Sequence, residues 1–220
     1  MARSAGVAFI DLDRTALERS SGGVLAATFA EAGILGKRAR QLQRPLIALF
    51  DKYGETVATV MLAERLGRLL AGYSVIEIEA VAATAAARLA ESPAPWLGGI
   101  VKNERAQGRC IVMATSSPRI IAEPVAERFG FDGVIATELE VRDNTYTGQT
   151  LDICWGIQKR DAVHAWLIAR DIDPATCSAY SDSIYDLPLL RLVGHPAPTN
   201  PDLRLKLVAK LAGWPVIPRN

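Results

Sequence analysis

The chain has 220 residues, of which 50% are hydrophobic and 22% charged. That is ample apolar material for a core, which excludes a peptide-sized scaffold and intrinsic disorder, and the length points to one large domain or a core carrying an insertion. Twenty-five Lys and Arg against 24 Asp and Glu leave a formal net charge of +1, so no global field attracts nucleic acid or an anionic membrane, and any anionic ligand must be captured locally.

Val7-Ala8-Phe9-Ile10 is a continuous apolar run that ends in Asp11-Leu12-Asp13-Arg14. This predicts a buried parallel strand with acids at its carboxyl end, where ligand sites lie in open α/β sheets. The next stretch breaks the alternation of strand and helix. Leu42, Leu46, Leu49 and Phe50, then Val57, Val60, Met61 and Leu69, then Val75, Ile78, Val81 and Ala85 predict three consecutive amphipathic helices. An all-α insertion over residues 17–92 is the economical reading, with its exit marked by Ser92-Pro93-Ala94-Pro95.

Cys110 to Ala114 predicts a second strand running into Thr115-Ser116-Ser117-Pro118. There Ser117 suits an N-cap and Pro118 the first position of a helix reaching about Phe129. Val134-Ile135-Ala136 is a third strand, and the alternating stretch Glu140 to Thr147, with its Asp-Asn pair, predicts a β-hairpin. A helix from about Gln158 to Ala169 places Ala162, Val163, Trp166 and Leu167 on one face, Ser178 to Ser181 is a fourth strand, and Asp186 to Leu190 is helical. The sum is an α/β chain with a doubly wound parallel sheet.

Cys110, Cys154 and Cys177 form no CxxC pair and are odd in number, so neither a disulfide framework nor a structural zinc site is indicated; they read as buried small residues in a reducing compartment. No signal-type apolar segment precedes Asp11, and the longest uncharged run, Ser20 to Ala30, falls short of the ~20 residues that a membrane span needs. A soluble, cytoplasmic protein is expected.

Asp11 and Asp13 lie two apart, so both carboxylates would project to one side if strand geometry persisted. Two such acids repel unless a divalent cation or a proton intervenes, although an Asp-x-Asp at a strand end is also a common turn feature. Three further elements end in complementary groups. Thr115 and Ser116 offer hydroxyls and N–H groups at a helix N-terminus, Lys159 a point charge, and Asp182 with Asp186 hard oxygens of the kind magnesium requires. Taken singly, Thr115 and Ser117 could be caps, Lys159 a solvated helix residue and Asp186 a first-turn acid. His164 beside Val163 and His195 in Gly-His-Pro suit packing or turn roles, and Trp96, Trp155, Trp166 and Trp214, with no interleaved basic residues, suit a core.

Asp11-Leu12-Asp13-Arg14-Thr15, Thr115, Lys159 and Asp182-Ser183-Ile184-Tyr185-Asp186 resemble, in this order, the four motifs of the haloacid dehalogenase (HAD) superfamily. The helical insertion resembles the cap of the subfamily that includes phosphoserine phosphatase. The stretch Ala179 to Leu190, with Val193-Gly194-His195-Pro196, Asn200-Pro201-Asp202 and Trp155-Gly156, is similar to a bacterial branch of subfamily IB, some of whose members are fused to lysophosphatidate acyltransferases.

The resemblance implies a Rossmann-like core over residues 1–16 and 93–220 and a cap over 17–92. It also implies a magnesium-dependent phosphatase acting on a small phosphomonoester. In that scheme Asp11 is the nucleophile and becomes an aspartyl phosphate, and Asp13 is the acid and base. Thr115, Ser116 and Lys159 bind the phosphoryl group, and Asp11, the Asp13 carbonyl and Asp182 hold Mg2+ with support from Asp186. Arg14 replaces a glycine common in the superfamily, Tyr185 replaces an asparagine, and Ser20 replaces an acid that meets the substrate amine in phosphoserine phosphatases. A phosphotransferase using the same intermediate, a lipid-phosphate phosphatase and a non-catalytic binding module on this fold stand as alternatives. Oligomeric state is left open.

Overall fold

The computed structural model describes residues 6–34 and 68–218. The helices expected around Leu42 to Phe50 and Val57 to Met61 therefore lie outside the described residues; Leu69 sits in a short 3-10 turn, Arg68–Leu70.

Strand β1 (Val7–Ile10) is buried at every position. It lies between β2 (Cys110–Pro118) and β5 (Ser178–Ser181), both parallel to it, and the sheet continues outward through β3 (Gly133–Arg142) on one side and β6 (His195–Pro198) on the other. An edge strand, β4 (Thr145–Asp152), runs antiparallel to β3, giving the order β4-β3-β2-β1-β5-β6. The chain winds outward from β1 to β3 and then returns to β5 on the opposite side of β1. That reversal opens a crevice at the carboxyl ends of β1 and β5, which is where Asp11 and Asp182 fall.

Alternation along the strands divides the core in two. Ala8, Ile10, Ile111 and Met113 face one cluster, covered by Ile78, Ala82, Ala86 and Leu89 of α2 (Val75–Ala90), Leu97 and Ile100 of α3 (Leu97–Ala106), and Ile121 and Val125 of α4 (Arg119–Arg128). Val7, Phe9, Val112 and Ala114 face the other, covered by Val163 and Leu167 of α5 (Ile157–Ile168), Leu189 and Leu190 of α6 (Leu187–Leu190), and Leu205 of α7 (Leu203–Ala212). Trp166 meets Phe9 edge to face at 6.0 Å, so the face expected on α5 is the core face. The architecture is a doubly wound α/β sandwich.

Between β1 and α3, α1 (Gly22–Glu31) contributes Phe29 to the first cluster, and α2 begins with a capping box between Ser74 and Glu77. Near the two ends of that stretch, Leu17 pairs with Pro93 and the Ala94 N–H donates to the Ala16 carbonyl at 2.9 Å. The β3–β4 hairpin turns at Asp143 (φ 49°) and Asn144 (φ 58°), two left-handed residues of the kind that matches strand twist. Its outer strand docks on the returning limb of the insertion. The Gly72 N–H donates to the Tyr146 carbonyl (2.9 Å), Tyr146 N–H to Tyr73 (3.0 Å) and Val75 N–H to Asn144 (3.0 Å). Gly148 permits this approach, since a Cβ there would lie 3.0 Å from Arg68 Cα and Ala71 Cβ.

At the opposite edge, the turn Pro174–Thr176 presses against the amino ends of β1 and β6. A Cβ on Gly6 would sit 2.3 Å from the Thr176 carbonyl oxygen, and one on Gly194 2.0 Å from that of Ala175.

Two local expectations are corrected. The second strand runs through Pro118, the helix starts at Arg119 and Ser117 caps nothing, because residues 115–118 stay extended beside β3. Cys110 is exposed whereas Cys154 and Cys177 are buried. Among the described residues no helix is long and apolar enough to cross a membrane.

Candidate active site

The chain reverses sharply after β1. Asp11 remains extended, Asp13 is non-helical (φ −72°, ψ 130°), and Arg14 takes the left-handed conformation (φ 59°, ψ 5°), a placement that costs a side chain about 1–2 kcal/mol relative to glycine. The Asp11 N–H is held by the Tyr180 carbonyl (3.0 Å) and its carbonyl accepts from Ala16 N–H (3.0 Å). Trp96 Nε1 donates to the Thr15 carbonyl at 2.7 Å. Both carboxylates are thereby fixed just beyond the sheet, and both are buried.

Lys159, from the first turn of α5, has no solvent exposure, and its ammonium bridges Asp11 Oδ1 (3.0 Å) and Asp186 Oδ2 (2.8 Å). The solvated-helix reading of Lys159 is thus excluded. Gly156 makes this entry possible: it caps α5 at φ 58° and ψ −121°, a region glycine alone occupies without strain. Asp186 Oδ2 also accepts from Ser181 Oγ (2.7 Å), which in turn receives the Ser183 N–H (3.2 Å). Asp186 Oδ1 is buried without a hydrogen bond.

Asp13 occupies a different environment. Its carboxylate accepts from the Ser21 N–H and, at 3.4 Å, from Ser117 Oγ. Burial pushes its carboxyl above the usual carboxylate range, and the Ser21 and Ser117 hydrogen bonds and the charge of Lys159 offset only part of that. A buried acid with a raised pKa beside an ion-paired acid is the arrangement that separates a proton donor from a nucleophile.

Thr115 is buried, and its Oγ1 accepts from Ser117 N–H at 3.1 Å. The Ser116 carbonyl accepts from Thr137 Oγ1 at 2.6 Å, and Thr137 itself receives the Cys154 N–H at 3.1 Å, so β3 pins the loop after β2. These residues lie on an extended segment and not at the helix N-terminus that was expected. Asp182 is paired with Arg14, Nε to Oδ2, at 2.8 Å. Asp202 holds the loop after β5: its N–H donates to the Asp182 carbonyl (2.8 Å), and its carboxylate accepts from Ile184 N–H (2.9 Å) and Leu205 N–H (2.8 Å). Tyr185 lies between Trp155 (4.7 Å between ring centroids) and the Arg204 guanidinium (5.3 Å).

Of the residues named from sequence, Asp11, Lys159 and Asp186 are joined by ion pairs, Asp13 is joined to the loop after β2 through Ser117, and Asp182 is joined to the first motif through Arg14, whereas the Ser116 carbonyl accepts from Thr137. Sequence reasoning assigned no site role to Ser21, Ser117, Thr137, Ser181 and Asp202, which act through hydrogen bonds that no spacing announces. Ser117 did stand out, but as a cap. A separate cavity of about 460 Å³ between α2, α4 and the hairpin is lined by Glu79, Glu123, Glu127, Glu138 and Arg119 and contains none of the motif residues. Its acidic lining does not suit an anionic ester.

Divalent binding can be judged from the donors present. Among the described residues no group of three or more His, Cys, Asp or Glu side chains could hold a metal. Magnesium, however, needs only one or two carboxylates besides substrate oxygen and water. The carboxylates of Asp11 and Asp182 with the Asp13 carbonyl are hard oxygens of that kind, and the unsatisfied Asp186 Oδ1 adds an acceptor for a water. The donor set fits.

A buried lysine between two acids, with a third buried acid of raised pKa beside them, is the setting of a phosphoric monoester hydrolase. The chain belongs to the haloacid dehalogenase-like hydrolases, whose sequence pattern matches residues 8–191. It is 28% identical over 228 aligned residues to a probable phosphatase of Mycobacterium tuberculosis (strain ATCC 25618 / H37Rv), covering 98% of this chain and 76% of that one. A crystal structure of a protein of unknown function from Bordetella pertussis Tohama I matches all of both chains at 28% identity with a TM-score of 0.84. The phospho-aspartyl intermediate analogue of phosphoserine phosphatase shares the fold at 15% identity, with a TM-score of 0.65 over 98% of this chain and 93% of that one.

Proposed function

We propose that the protein hydrolyses a small phosphomonoester through an aspartyl phosphate on Asp11, with Mg2+ as cofactor and with residues 17–92 as a cap over the 1–16 and 93–220 core. The observation that carries this reading is the fully buried ammonium of Lys159 between Asp11 and Asp186, next to a buried Asp13 whose carboxyl is raised.

A carboxylate oxygen of Asp11 attacks phosphorus as the ester P–O bond breaks, and the leaving oxygen takes its proton from Asp13. Asp13, now ionised, accepts a proton from water as that water attacks phosphorus, and the Asp11–phosphorus bond breaks to release phosphate. Lys159 lowers the repulsion between Asp11 and the anionic ester, while Thr115 and Ser116 present donors to the phosphoryl oxygens. Asp11, the Asp13 carbonyl and Asp182 would hold Mg2+, which when bound neutralises charge on the transferring group.

The test is turnover of phosphoserine, glycerol phosphate and a lysophosphatidate, with Mg2+ and with chelator. Activity that survives exhaustive chelation overturns the metal assignment. Because Ser20 replaces the amine-binding acid, phosphoserine is expected to show a kcat/KM less than about a hundredfold above the other two, equivalent to about 2.7 kcal/mol of transition-state binding.

A further inference from the structure

Arg14 is the charged residue of the first motif that the mechanism leaves unused, and its geometry is specific. Its guanidinium sits 2.8 Å from Asp182 Oδ2, with the two side chains only 19% and 7% exposed, so the pair is not a solvent-screened surface contact. The backbone that delivers it is left-handed, where glycine would fit without strain. It is also pinned on both sides, by Arg14 N–H to the Arg19 carbonyl (3.4 Å) and by Asn200 Nδ2 to the Arg14 carbonyl (3.4 Å). Asp182 is fixed in turn by the Asp202 N–H on its carbonyl. Of the two partners, Arg14 has the longer side chain, with more rotatable bonds through which to withdraw.

We propose that Arg14 is a built-in competitor for the divalent cation: it occupies Asp182 while no metal is bound and must release that carboxylate for the cation to bind. The inference rests on the Mg2+ reading given above. A guanidinium and a divalent ion repel, and the small ion demands direct oxygen contact at ~2.0–2.1 Å in near-octahedral geometry. Joint occupancy of Oδ2 is therefore disfavoured, and Arg14 both keeps Asp182 in place before the metal arrives and weakens metal affinity.

The experiment is calorimetric titration of MgCl2 into the metal-free, full-length protein as wild type, Arg14→Gly and Arg14→Lys, with circular dichroism to confirm folding. In parallel, the Arg14 Nε–H resonance of 15N-labelled wild type, assigned by its absence in Arg14→Lys, is followed through the same titration. Arg14→Gly is expected to bind Mg2+ about tenfold more tightly or better, Arg14→Lys to stay within about threefold of wild type, and the Nε–H signal to move at saturation. Unchanged or weaker binding by Arg14→Gly overturns the proposal, as does an unmoved Nε–H signal in saturated wild type. The second readout decides alone if Arg14→Gly does not fold. Absence of Mg2+ binding in every variant overturns the metal reading itself and this inference with it, whereas tight binding that ignores Arg14 overturns only this one.

Discussion

Asp11 and Asp186 share one ammonium, so removing charge from an acid and removing it from the base have unequal consequences. Asp11→Asn keeps volume and leaves Lys159 paired with Asp186; it is expected to abolish turnover with little change in melting temperature, and normal steady-state turnover by the variant contradicts the nucleophile assignment. Lys159→Met instead strands two buried carboxylates and is expected to destabilise the fold by about 3 kcal/mol or more, as read from urea unfolding. Asp13 predicts a pH effect of definite sign. A carboxyl raised on folding holds its proton more tightly in the native state, so it costs stability as pH rises through the raised value and none well below the ordinary one. Asn can still accept from Ser21 and meet Ser117, so Asp13→Asn is expected to melt above wild type at pH 7 in chelator, with the advantage shrinking as pH falls through the raised value and gone well below about pH 4. An advantage that grew on acidification would contradict this. Asp11, Asp13 and Asp182 were legible in sequence because they follow strand ends, whereas Lys159 and Asp186, on helical turns, were legible through their order in the resemblance. The hydroxyls of Ser117, Thr137 and Ser181 were not, since serine and threonine serve caps, turns and sheets equally well.

The strands and helices that flank the crevice announce themselves through period and punctuation. Val7 to Ile10 and Ser178 to Ser181 have the expected limits, and α5 differs by a residue at each end. The second strand misled because Ser-Ser-Pro is a helix-start signal. Pairing of Pro118 with Thr137 keeps the chain extended over residues 115–118, and tertiary pairing outweighs local preference there. The hairpin was expected, but its docking on the returning limb was not, because main-chain hydrogen bonds between residues about seventy positions apart leave no mark on composition. Gly148→Ala tests that docking. With φ at +81° and two contacts at 3.0 Å, it is expected to cost about 1–3 kcal/mol and to speed amide exchange at Gly72 and Tyr146 before exchange in β1. Uniform protection in the variant would show that the limb is held by other means.

At the scale of the sheet, the proposed site and two close backbone approaches lie at opposite ends of the strands. Asp11, Asp13 and Asp182 follow their carboxyl ends, whereas Gly6 and Gly194 sit against the Pro174–Thr176 turn at their amino ends, where even a methyl group would overlap a carbonyl oxygen. A saturation-mutagenesis survey scored only by phosphate release in cells would accordingly give Gly194 the same profile as Asp11, intolerant of every replacement, and would invite a catalytic label for a residue that touches no substrate. Pairing activity with abundance separates the two, for Asp11→Asn would accumulate as a silent enzyme and Gly194→Ala would be cleared before it could act.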